Sequence, residues 1–281
     1  MTPRIIRTLD PAEVGTLVDW AAGEGWNPGL DDAAAFSAAD PEGFLGAFVD
    51  GDMLAGICAV RYGVSYGFIG LYISHPDHRG EGHGKAVWDA GMARLSGRIV
   101  GLDGVDAQFD NYLSKGFVPA YRTIRFGGRF SPVGEGVDVG VPRPVDFTPA
   151  LLEEAITFDG KIFPQPRRAF LERWLAPPHI VSVAVSGGRM AGYGVMRACG
   201  VGSKIGCLAA IDLPTAKALF VSLADQAEGE VFIDVPQPQG EFARFLAASN
   251  LVPGFETTRM YHGGAIPLYS GLFGVTTLEL G

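Results

Sequence analysis

The sequence is poor in residues that would staple or anchor it. Its three cysteines, Cys58, Cys199 and Cys207, are odd in number and far apart in 281 residues. That excludes a disulfide framework or a cysteine-rich metal knuckle and suits small buried hydrophobes. No apolar run reaches the ~18 residues that a membrane span needs. The opening stretch "MTPRIIRTLDPAE" has no apolar signal-peptide core. A cytoplasmic protein without a membrane partner is the expectation. Basic residues are the minority: 22 Lys and Arg against 31 Asp and Glu leave a net charge of −9. This argues against a nucleic-acid partner and would not repel a cationic amine. The chain is 47% hydrophobic and 19% charged, a globular composition with length enough for two cores.

Local signals are strongest near the start. "RIIRTL" (4–9) reads as a strand. Asp10 then stands as a helix N-cap, with Pro11 at the first helical position and Glu13 three residues after the cap. Val14, Leu17, Val18 and Ala21 give that helix its buried face. "GWNPG" (25–29) breaks it, and a short helix follows near Asp31–Ala38. Two strands flank the turn at Asp50-Gly51-Asp52. "YGFIGLYIS" (66–74) is nearly all apolar, as a central strand should be. A helix follows on the face Val87, Trp88, Gly91, Met92, Leu95. Then come a strand at 98–102, a helix at 106–115 ended by Gly116, and a strand at 117–126. Residues 127–147, rich in Gly and Pro, read as a linker with room for one short strand.

The second half repeats the first. "AFVDGDMLAGICAVR" (47–61) aligns without a gap to "VAVSGGRMAGYGVMR" (183–197), and "FVPAYRTIRF" (117–126) aligns to "LVPGFETTRM" (251–260). The offsets are 136 and 134, and unrelated hairpins would have no reason to share one. Two copies of one mixed α/β domain are expected, at 1–126 and 148–281, each a central mixed sheet flanked by helices.

Between the apolar strand and the following helix lies "HPDHRGEGHGK" (75–85). It fails the P-loop pattern, because Gly80 to Gly84 is one residue short and Ala86 replaces the hydroxyl. It also fails the dinucleotide fingerprint. His75, His78 and His83 have no fourth ligand nearby, so no metal is expected. The remaining pattern, Arg79-Gly80-Glu81-Gly82-His83-Gly84-Lys85, lets backbone N–H groups converge beside a helix start, with two cations at its ends. Its physical target is a pyrophosphate; the plainer reading is a tight turn with exposed basic residues.

The element order, together with "HRGEGHGKAVWDA" after an apolar strand, resembles the GNAT superfamily of acetyl-CoA-dependent N-acetyltransferases. The resemblance covers about the first 126 residues. It implies that Arg79 through Lys85 cradle the pyrophosphate of coenzyme A. It also implies that the backbone of Ile73 and Ser74 takes up the pantetheine and the acetyl carbonyl. "AQFDNYLSKGF" is similar to the family's A-x-x-x-x-Y-x-x-x-G-F segment through Ala107, Tyr112, Gly116 and Phe117. By that match Tyr112 protonates the departing thiolate, as a phenol can. Val105 stands where the family often has asparagine. The implied activity is acyl transfer, acetyl by default, from acetyl-CoA to a small-molecule primary amine. A CoA-binding sensor without chemistry is the rival, because the apolar strand lacks the glutamate that many members use as a base.

Candidates for that base are His75, Asp31, Asp32, Asp103 and a water chain with Tyr66. By the resemblance "GWNPG" lies where the family forms its acceptor pocket, where Trp26 could stack on a substrate; the plainer reading is a helix-ending turn with a buried Trp. In the second copy the offset moves the turn onto "AIDLPTAKALF" (210–220), with no glycine between Gly206 and Gly229, and Tyr112 onto Leu246. This copy is therefore expected to bind no coenzyme, and to wall the acceptor pocket or stabilise the pair.

Overall fold

A computed structural model describes residues 3–132 and 141–281. The first half runs β1 (Ile5–Thr8), α1 (Pro11–Gly23), α2 (Asp32–Ala39), β2 (Phe44–Val49), β3 (Asp52–Tyr62) and β4 (Tyr66–Ser74). It continues with α3 (His83–Arg94), β5 (Ile99–Val105), α4 (Phe109–Ser114) and β6 (Val118–Gly128). The second runs β7 (Val145–Asp146), α5 (Leu152–Asp159), α6 (Arg168–Trp174), β8 (Ile180–Ser186), β9 (Arg189–Ala198) and β10 (Ser203–Ala210). It closes with α7 (Leu213–Ala224), β11 (Val231–Pro236), α8 (Gly240–Ala248), β12 (Val252–His262) and β13 (Leu272–Gly274). Of the expected 127–147 linker, residues 127 and 128 end β6, 145 and 146 form β7, and 133–140 lie outside the described residues.

Local chemistry explains the first elements. The Asp10 carboxylate accepts from the N–H groups of Ala12 and Glu13, and Glu13 accepts from the Asp10 N–H in return. Val14, Leu17, Val18 and Ala21 are the buried face of α1. β2 and β3 turn through Asp50 and Gly51, both at positive φ.

All strands of the described residues belong to one mixed sheet, in the order β1-β2-β3-β4-β5-β12-β6-β11-β10-β9-β8-β7, with β13 added beside β10. Its centre is a strand exchange that the repeat did not announce. β12, the second half's counterpart of β6, pairs antiparallel with β5, and β6 pairs antiparallel with β11. Each half thus completes its sheet with the other half's strand.

The exchange is locked by two buried ion pairs related by the repeat. Arg125 on β6 faces Asp234 on β11 and donates to both its oxygens, at 2.7 and 2.9 Å. Arg259 on β12 faces Asp103 on β5 and does the same, at 2.8 and 2.7 Å. Burial works against each guanidinium's charge, and the facing aspartate overcomes it, so both arginines are raised above their ordinary value. Arg125 also lies over the Phe255 ring and Arg259 over Phe68 and Tyr121. One hydrophobic core joins the halves: Tyr62, Tyr66 and Phe68 share it with Phe163, Trp174, Tyr193 and Leu280.

Candidate active site

β4 and β5 run parallel and paired only from Tyr66/Ile99 to Ile69/Leu102. Beyond that point they diverge. β4 bulges, with Leu71 at φ 46°, so that Gly70 faces Cys58 while Ile73 faces Gly56 on β3. β5 turns its other edge to β12. Among the described residues Leu71 to Ser74 therefore have no strand partner on the β5 side, and their backbone groups on that side need another partner.

A narrow cleft of about 70 Å3 opens at this divergence, lined by Gly70, Leu71, Tyr72, Leu102 and Tyr112 among others. Tyr112 is buried and its ring stacks on Trp88, centroids 5.6 Å apart. A side chain at Gly104 on β5 would come within 2.8 Å of the Tyr112 ring, so that glycine seats the tyrosine against the strand. Burial, and to a lesser degree Tyr72, push the Tyr112 phenol well above its ordinary value, so it is held protonated. Val105 also lines the cleft.

The glycine turn starts where β4 ends. After a short 3-10 turn at Pro76–His78, Gly80 and Gly82 take φ of 83° and 82°, a conformation that side chains disfavour. Gly82 is the N-cap of α3, and among the described residues no side chain caps the helix. The first-turn N–H groups of His83, Gly84 and Lys85 are thus left for a ligand. A side chain at Gly84 would come within 2.6 Å of the Ser74 hydroxyl, so helix and strand meet closely here. Arg79 pairs with Glu24 and donates to the Ser74 carbonyl, and Lys85 pairs with Asp89 at 2.5 Å. Glu81 bonds His78 and His83, which hold its carboxyl below the usual range. Arg4 joins the turn from outside, donating to His83 Nδ1 and to the Glu81 carbonyl. Ile73 is buried and Ser74 half-buried.

The base candidates fare differently. Asp103 borders the cleft, but its side chain is fully buried and both oxygens are held by Arg259. Asp32 is buried, paired with Arg197 and accepting the Gly29 N–H. Asp31 is exposed before α2. His75 packs edge-on against Trp20 and accepts from the Asp77 N–H. Tyr66 is buried and borders a separate cavity with Arg167 and Arg259. Among the described residues no group of three or more His, Cys, Asp and Glu is placed to hold a metal ion.

Two family models match the chain: the acetyltransferase (GNAT) family over residues 12–117 and an acetyltransferase (GNAT) domain over 155–271. Holothin acyltransferase of Pseudoalteromonas sp. (strain SANK 73390) is 32% identical over 252 residues, spanning 87% of this chain and 83% of the relative. The chain belongs to the GNAT acyltransferase family. Its tandem GNAT fold is similar to a putative acetyltransferase from Pyrococcus horikoshii, with a TM-score of 0.81 at 19% identity over 99% of this chain and 96% of that one. It is also similar to a tandem GNAT protein from the clavulanic acid biosynthesis pathway. That match has a TM-score of 0.63 at 13% identity over 94% of this chain and all of the other.

In this GNAT acyltransferase the second half supplies part of the cleft wall, which no local motif announced. Phe255 and Thr257 come from β12, and Leu278 and Glu279 from the segment after β13. Trp26 lines the cleft too, and its carbonyl accepts from Arg125 and Lys204. The Glu279 backbone rests on β4 at Gly70, where any side chain would collide with the Glu279 carbonyl.

Proposed function

We propose that this enzyme transfers an acyl group, acetyl by default, from acyl-CoA to the primary amine of a small molecule. The observation that carries the reading is the joint placement of three parts: the parted β4 and β5, the uncapped glycine turn at the end of β4, and Tyr112 in the cleft wall. The residues present fit a coenzyme A pyrophosphate. Gly80 and Gly82 hold the backbone open, and the N–H groups at the start of α3 supply donors. Arg79 pairs with Glu24 at the surface, where such pairs are worth ~0–1 kcal/mol, so a phosphate can displace the carboxylate. The unpaired side of β4 at Ile73 and Ser74 can receive the pantetheine amides and polarise the thioester carbonyl.

The neutral amine attacks the thioester carbon, forming the C–N bond. The C–S bond then breaks, and the departing thiolate takes the Tyr112 phenolic proton. The phenolate recovers a proton from the new amide nitrogen. The relative's name makes holothin the first acceptor to try. The test is release of the free CoA thiol from acetyl-CoA, with holothin and a panel of small primary amines. Release that depends on an amine supports the reading. Acetyl-CoA binding without release for any amine would favour a CoA-binding sensor instead.

A further inference from the structure

We propose that Glu279, brought into the first half's cleft by the segment after β13, binds the acceptor's ammonium group and takes its proton. This rests on the acyl-transfer reading above. Glu279 is 95% buried by its 5% exposure, yet it lines the cleft. Among the described residues it has no ion-pair partner and no hydrogen-bond donor on its carboxylate, which makes it unlike the molecule's other buried acids. Asp103, Asp159 and Asp234 each receive two bonds from an arginine, and Asp32 is paired with Arg197. A buried carboxylate with no donor is costly unless something is meant to meet it.

Three cations lie near it without bonding to its carboxylate. Arg125 on β6, Arg197 on β9 and Lys204 on β10 all feel Glu279 electrostatically. The bonds they make go elsewhere: Arg125 to Asp234 and the Trp26 carbonyl, Arg197 to Asp32, Lys204 to the Trp26 carbonyl, while the buried Arg197 Nε has no partner among the described residues. Among the described residues these cations lie near Glu279 and leave its oxygens free for a ligand. The other ionisable groups around the cleft are Asp103 on β5, tied to Arg259, and the phenols of Tyr72 on β4 and Tyr112 on α4. Among the described residues the lining therefore carries carboxylates and no cation, with Trp26 and Phe255 as flat apolar walls. That chemistry selects a flat primary amine that arrives protonated.

The protons balance. The ammonium gives one proton to the Glu279 carboxylate, and the freed lone pair attacks the thioester. Tyr112 protonates the thiolate and recovers the amide's surplus proton. Glu279 then releases its proton to solvent, leaving an amide, free CoA and one proton.

Tryptamine tests the assignment, with tryptophol, which has a hydroxyl in place of the amine, as its uncharged twin. Calorimetric titration of the CoA-saturated wild type should show tryptamine binding at least about tenfold more tightly than tryptophol, the worth of one charge-assisted bond. Glu279→Gln should erase that preference while CoA affinity and thermal melting hold. With acetyl-CoA, the variant should lose kcat for tryptamine, together with the acid limb of its pH–rate profile. Equal binding of the two probes by the wild type overturns the proposal even where the variant fails to fold. So does binding of neither probe, or a preference that survives in Glu279→Gln. Failure of acetyl-CoA to bind would instead overturn the acyl-CoA reading, and a retained tryptamine preference would then leave the Glu279 site standing.

Discussion

The molecule contains the same parted strands twice, and uses them in opposite ways. β4 and β5 part beyond Ile69 and leave a cleft; β10 and β11 part beyond Ile205, and β13 fills the gap by pairing with β10 at Leu208 and Ala209. The first pair ends in a glycine turn with an uncapped helix. The second ends at Asp212, whose side chain caps α7 by accepting the Thr215 N–H, with Pro214 in the first turn. Where the first copy has Tyr112, the second has Leu246, fully buried in its own core. A fold can thus be kept whole while the cleft at its parted strands is replaced by a cap, a proline and a strand of the same chain. The closed copy still contributes, through Phe255, Thr257, Leu278 and Glu279 in the open copy's cleft.

The largest break in that comparison is expected at Tyr112. Tyr112→Phe should lower kcat about 10²- to 10⁴-fold while the affinity for acetyl-CoA stays within a few-fold, read by steady-state kinetics and calorimetry. Unchanged turnover would reduce the tyrosine to packing against Trp88.

The two locks of the exchange come next. Asp234→Asn and Asp103→Asn each strip a buried arginine of its partner, and each should cost about 3–5 kcal/mol in denaturant unfolding. The costs should be similar, because the pairs are related by the repeat. Only Asp103→Asn should also disturb turnover, since Asp103 borders the cleft. A large loss at one pair and none at the other would break the symmetry seen in the ion pairs.

Gly82→Asp puts a side chain at φ 82° and a negative charge where the α3 N–H groups are exposed. Acetyl-CoA binding should weaken by about two orders of magnitude in a folded protein. Unchanged affinity would remove the turn from the site.

The smallest signals are expected absences. Tyr112 has a raised phenol, so its proton is retained as pH rises past the ~10 at which an ordinary tyrosine is half ionised. The kcat profile should therefore show no descending limb below about pH 10 from this group; a limb near pH 9 that vanishes in Tyr112→Phe would contradict its burial. Finally, titration of the whole chain with CoA should saturate at one equivalent, since β13 and the α7 cap leave the second copy no cradle. A second saturable site would erase the contrast between the copies.

What could be read from the sequence was what depends on near neighbours. Asp10, Pro11 and Glu13 specify a helix start within four residues, and the structure has that start. The glycines of the turn are legible because a positive φ is a demand on single residues. The repeated arginine, 125 and 259, was visible as a letter shared by two segments. Its reason was not, because it lies in a register between strands more than a hundred residues apart. Glu279 carried no signal at all: nothing in "VTTLELG" says that its backbone will rest on Gly70 of β4.

The exchange of β6 and β12 also sets an order of birth. When β5 leaves the ribosome its outer edge has no partner, and the strand that covers it, β12, emerges about 150 residues later. At ~5–20 residues per second that is on the order of ten seconds of an exposed, hydrogen-bonding strand edge. The half that carries the cleft is made first and finished last.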